Sequence, residues 1–128
     1  MMKALGIGLA MVAVALFATV WWQGFAAPSG MLHGATTAEA EAAYCLAVAE
    51  RISEITGGRG AARLELHLDE QVGFWRPRAG PRPGAGRVAL ARDSTAPGVN
   101  EGAHLHLAVQ DCALKAVSFY GHRFASFQ

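Results

Sequence analysis

Thr36-Thr-Ala-Glu-Ala-Glu-Ala-Ala-Tyr-Cys-Leu-Ala-Val-Ala-Glu-Arg-Ile-Ser-Glu-Ile-Thr-Gly-Gly58 is the stretch that decides the fold. Thr36 with Glu39 three residues on is a capping-box signature for a helix start. Tyr44, Cys45, Val48, Ile52 and Ile55 then fall on one arc of about 100°, while Glu39, Glu50, Ser53 and Glu54 lie elsewhere on the wheel. Gly57-Gly58 supplies the stop, because glycine takes the left-handed conformation that ends a helix. This segment predicts an amphipathic helix.

Downstream, Ala61 to Trp75 reads two ways. Leu64, Leu66 and Leu68 alternate with polar residues as in a strand, yet Leu64, Leu68, Val72 and Trp75 match helical spacing. Strong helix formers dominate and β-branched residues are scarce, which favours helix. Residues 76–87, Arg-Pro-Arg-Ala-Gly-Pro-Arg-Pro-Gly-Ala-Gly-Arg, read as a loop, since proline and glycine break regular structure. A short element over Arg87 to Arg92 and a turn at Pro97-Gly98 follow, and Asn100 is placed to cap a last helix reaching about Arg123.

That last helix is apolar on two sides. Leu105, Val109, Cys112, Ala116 and Phe119 form one stripe, and Ala103, Leu107, Leu114 and Gly121 a nearly opposite one. Such a helix is sandwiched between neighbours or offers one face to a partner. The fold class expected is all-α: an N-terminal signal or anchor helix, then a small domain of three or four helices. The alternative is a small α+β domain with strands at 63–68 and 103–109.

Cys45 and Cys112 are the only cysteines. In an oxidising compartment an isolated pair forms one disulfide, here joining the first and last helices of the domain. Export is implied by the N-terminus: after Lys3 no charged residue occurs until Glu39. Residues 4–22 would make a helix of roughly 28 Å, close to the roughly 30 Å bilayer core. Trp21 and Trp22 then suit the membrane interface. The competing reading is a signal peptide cleaved after Gly24-Phe25-Ala26. Either way residues 1–26 are the targeting segment, 27–35 a flexible connector and 36–128 the helical domain. With Lys3 before the segment and Arg51 the first basic residue after it, the domain should lie outside the cytoplasm, in a periplasm-like space, anchored in the inner membrane or released beside it.

The chain has 128 residues, 52% hydrophobic and 16% charged, with formal net charge +1. Without Lys3 the remainder is neutral, which argues against nucleic acid as a partner. Charge is nevertheless segregated: residues 71–92 hold Arg76, Arg78, Arg82, Arg87 and Arg92 and no acid. Proline-stiffened arginines offer forked donors to carboxylates or phosphates, so Arg76, Arg78, Arg82 and Arg87, with Trp75 beside them, are the expected partner-binding residues.

Catalytic signatures are missing. The sequence contains no Gly-x-Ser-x-Gly, no phosphate-cradling glycine loop, no His-Glu-x-x-His and no Cys-x-x-Cys. His104 and His106 would share an ion only on a strand, since on a helix they diverge by about 200°. Asp111, Lys115, Ser118 and His122 fall on one helical stripe, but a single face supplies neither an oxyanion hole nor an orienting acid. Asp111 and Lys115 more naturally make an i,i+4 ion pair. No catalytic residue, metal site or cofactor is therefore expected. The expected function is that of a non-catalytic, membrane-anchored accessory or assembly subunit of a membrane protein complex. A secreted, disulfide-stapled binding or inhibitory module is the first alternative, and a histidine-based metal-binding protein the second.

Overall fold

A computed structural model describes residues 2–21 and 31–127, with the side chains of residues 2, 20 and 21 outside the description. The chain divides into an N-terminal unit, 1–31, and a second unit, Leu32–Gln128. The N-terminal unit carries helix α1, Met2–Trp21. Its large apolar side chains, among them Leu5, Leu9, Val12, Leu16 and Phe17, are exposed. Among the described residues no helix is long and apolar enough to cross a membrane, so the fold adds no support to the anchor reading. Trp22 and the Gly24-Phe25-Ala26 site lie outside the described residues, as does the side chain of Trp21.

The second unit is built from four helices: α2 (Ala38–Thr56), α3 (Ala62–Trp75), α4 (Gly84–Ser94) and α5 (Glu101–Ser118), with no strand among the described residues. The ambiguous stretches 63–75 and 103–109 are both helical, so the α+β alternative falls. α2 starts one residue later than the capping box suggested. The Oγ1 of Thr37, not Thr36, accepts the Ala40 amide at 3.1 Å. Its end is as read: Gly57 is left-handed, φ 56°, and donates its amide to the Ser53 carbonyl. Asn100 caps α5 by accepting the Ala103 amide at 3.0 Å.

α2 is the central helix, packed by α3, α4 and α5. Every residue from Glu41 to Ala49 is buried, not merely one arc. Alanines at 42, 43, 47 and 49 make this possible, because small side chains let neighbours approach on all sides. The closest approach is at Gly86 of α4, where a Cβ would stand 2.0 Å from the Ala43 carbonyl oxygen. Only glycine fits there. The glycines of residues 84–86, read from sequence as loop formers, instead open α4, which begins inside the expected loop. The other loop residues form a short 3-10 turn, Arg76–Arg78, and a Pro-rich link.

Cys45 and Cys112 are wholly buried and form a disulfide between α2 and α5, with Cα atoms 5.7 Å apart. Around it pack Leu46, Phe74, Trp75, Ala116 and Phe124. A second cluster, Tyr44, Val48, Leu90, Leu105 and Ala108, fills the α2–α4–α5 side. The C-terminal residues return over α3, ending in the 3-10 turn Ala125–Phe127.

Candidate functional site

The expected partner-binding residues separate into three kinds. Arg76, at the end of α3, and Arg87, on α4, both reach Glu50 of α2, each at 3.4 Å, and stay 66% and 61% exposed. Exposed pairs of this kind contribute about 0–1 kcal/mol, so either guanidinium can leave Glu50 for a better partner. Arg82 is exposed in the Pro81–Pro83 link. Arg78 is committed to the fold: its guanidinium lies 3.8 Å from the Phe74 ring centroid and donates to the Phe74 carbonyl at 2.7 Å. Trp75 is wholly buried, its ring edge-on to Phe74 and Tyr120 and its indole N–H donating to Gln71 Oε1. It is a core residue and offers no surface to a partner.

Beside Arg87 lies a cleft of about 230 Å³ that sequence reasoning missed. Ala47, Leu90 and Ala91 line it with apolar surface, and Glu50, Arg51, Glu54, Arg87 and Glu101 supply its charges. Arg51 is tied to Glu101 at 2.7 Å and to Glu54 at 3.2 Å, and those hydrogen bonds, the one to Glu101 first, raise its affinity for its proton. An apolar interior bounded by charged groups is the anatomy of a protein-contact patch. The only sequence sign of it was the charge segregation between residues 39–70 and 71–92.

The two-sided character of α5 is realised over Glu101–Ser118; the helix ends there, short of the expected Arg123, and Gly121 lies beyond it with a left-handed backbone. Leu105, Ala108, Cys112 and Ala116 are buried, whereas Leu107 and Leu114 are 60% and 65% exposed on the other side. Ala103 and Val117 extend that outward stripe. Phe119, expected on the inner stripe, is also exposed. A shallow groove of about 250 Å³, lined by Ile52, Ile55, Leu64, Leu105 and Val109, adds apolar surface where α2, α3 and α5 meet.

The polar stripe of α5 disperses in three dimensions. Lys115 is buried, with Nζ 3.7 Å from Glu41 Oε2, and its ammonium faces the Phe119 ring. The same carboxylate oxygen accepts the Leu32 amide at 2.7 Å. The Ser118 hydroxyl donates to the Leu114 carbonyl within its own helix. His122 lies beyond the helix end, against Phe74 and Phe124. These groups do not converge on a reaction centre.

Two of the histidines, His33 and His104, meet at Tyr44 with ring centroids 6.3 Å apart, and the others lie elsewhere. His104 Nε2 is 2.8 Å from the Tyr44 hydroxyl, while His106 meets Gln110 one turn along. Tyr44 donates to Asp93 at 2.7 Å, so His104 must donate to it. Burial first, then the bond to Asp93, pushes the Tyr44 hydroxyl far above its ordinary range. His33 stacks on Tyr44 at 4.3 Å from a left-handed backbone, φ 57°, and burial lowers its pKa against the opposing pull of Asp111. Among the described residues no group of three or more His, Cys, Asp or Glu side chains is placed to hold a metal ion. No known protein family, curated protein or solved structure matches the chain.

Proposed function

We propose that the protein is a non-catalytic, exported helical subunit that joins a larger membrane-associated protein assembly. The observation that carries this reading is the outward stripe of α5, Ala103, Leu107, Leu114 and Val117, left uncovered on a body whose inner stripe is stapled to α2. Large apolar side chains exposed on one helix face, here flanking the exposed Gln110, are of the kind found at interaction sites. Arg76, Arg82 and Arg87 supply a second, cationic surface, which selects a partner bearing carboxylates. Export is supported by a disulfide of the kind that persists in oxidising compartments. Retention of residues 1–26 makes the chain a membrane-anchored subunit.

The disulfide staple equally suits a secreted binding module, which is the second reading. Mass spectrometry of the tagged protein separates the two. An N-terminus at Met1 identifies the anchored form, and one at Ala27 the secreted form. Extraction in mild detergent should give a complex of defined stoichiometry, disrupted by Leu107→Asp with Leu114→Asp. A wild-type chain that is monomeric in every extract overturns the proposal.

A further inference from the structure

One run of hydrogen bonds crosses the α3 side of the body with every donor fixed. The Trp75 indole N–H can only donate, and it meets Gln71 Oε1 at 3.0 Å. The Val109 carbonyl of α5 can only accept, and it meets Gln71 Nε2 at 3.1 Å. These two partners fix the orientation of the Gln71 amide without reference to any other group. Gln71 Nε2 also lies 2.9 Å from His67 Nε2, so that ring nitrogen must accept. The ring proton then sits on Nδ1 and points at the Ser126 Oγ, 3.0 Å away. Ser126 completes the run by donating its hydroxyl to Glu70 Oε2 at 3.4 Å and its amide to Glu70 Oε1 at 3.1 Å. His67 also packs against the rings of Phe124 and Phe127, at 5.2 and 4.9 Å.

We propose that His67 is an acid-sensitive latch, holding the C-terminal segment 124–127 against α3 while neutral and loosening it when protonated. A second ring proton on Nε2 would face the Gln71 N–H donor at 2.9 Å. Gln71 cannot flip to relieve this, because its oxygen would then face the Val109 carbonyl and its amino group the Trp75 N–H. Gln71 and Trp75 are wholly buried and His67 is half-buried, so the imidazole is the group free to swing out. Leaving, it abandons Ser126 and unstacks from both phenylalanines.

The surroundings offer the cation little. Among the described residues Glu70, on the same helix, is the one charge that favours it, and burial, the larger effect, disfavours it, so the pKa is lowered. The C-terminal segment brings Ser126 and two rings, with His122 and Arg123 at its start, and α5 brings the Val109 carbonyl with His106 and Gln110 bonded to one another. The sign follows. With the released ring at its ordinary 6.5 and the docked ring lower, the released form binds more protons between those values. Docking is therefore at full strength above 6.5 and weakens as pH falls towards the docked value.

The test is amide hydrogen exchange by NMR on the full chain, corrected for intrinsic exchange rates. Protection at Ser126 and Phe127 should fall up to about tenfold per pH unit below 6.5. His67→Gln, which keeps a polar group and removes the titration, should abolish the fall, and His33→Gln should leave it intact. A flat wild-type profile, the same fall in His67→Gln, or its loss in His33→Gln overturns the proposal. Should His67→Gln fail to fold, the wild-type ring decides: a proton on Nδ1 at pH 7.5 supports the latch, and one on Nε2 refutes it.

Discussion

Replacing Cys45 and Cys112 together by alanine removes the one covalent link between α2 and α5. Both side chains are wholly buried but small, and the substitution leaves the remaining packing of the two helices in place. The main loss is therefore in the unfolded state, which regains the entropy of an open loop. For a sequence separation of 67 residues the chain-entropy relation gives about 4 kcal/mol at 25 °C. A domain of this size is typically stable by only about 5–15 kcal/mol, so the variant should be folded but marginal. Urea unfolding followed by far-ultraviolet circular dichroism measures this directly. At roughly 1–3 kcal/mol per molar, the midpoint should drop by roughly 1.5–4 M, and the slope should rise because the unlinked chain expands further. Reducing the wild-type protein should shift the midpoint to the same degree. A loss below about 1 kcal/mol, with an unchanged slope, would refute the claim that this link carries a large share of the body's stability.

Two further substitutions probe how α2 is enclosed. Gly86→Ala places a methyl group on the Ala43 carbonyl and forces α4 away from α2, so stability should fall by more than the roughly 1–3 kcal/mol of ordinary overpacking, read as a lowered thermal midpoint. Lys115→Met keeps the side-chain length and strands the Glu41 carboxylate, which is 1% exposed, at an expected cost of roughly 3–5 kcal/mol in the same assay. An unchanged midpoint in either variant would mean that the helix concerned is not seated as described.

Much of the architecture was legible in the chain, and the misreadings have physical causes. Thr36 and Thr37 are adjacent and chemically alike, so the capping residue could be mistaken by one position. The helical arc of α2 was visible through Tyr44, Cys45 and Val48. The burial of its other sides was hidden because alanine serves a surface or a core equally well. Gly84 and Gly86 look like loop residues, and only the close crossing of α2 explains why a helix needs glycine at 86. Trp75 looked like a binding residue beside arginines, but its indole finds Gln71 one turn back and closes the core. Lys115 seemed paired along its own helix, and its burial with Glu41 depends on a meeting of α2 and α5 that no local pattern encodes. The outward stripe of α5 was readable because leucine on a polar-flanked face has no local reason to be there. The cleft beside Arg87 was not, since its walls come from three separate helices.

The uncovered stripe of α5 requires a partner in the assembly proposed. Native mass spectrometry of the tagged chain, extracted in mild detergent, tests it most directly. The wild type should appear in a complex of fixed stoichiometry, and the Leu107→Asp, Leu114→Asp variant should be folded but alone. A wild-type spectrum showing only the free chain, identical to that of the variant, would contradict the account.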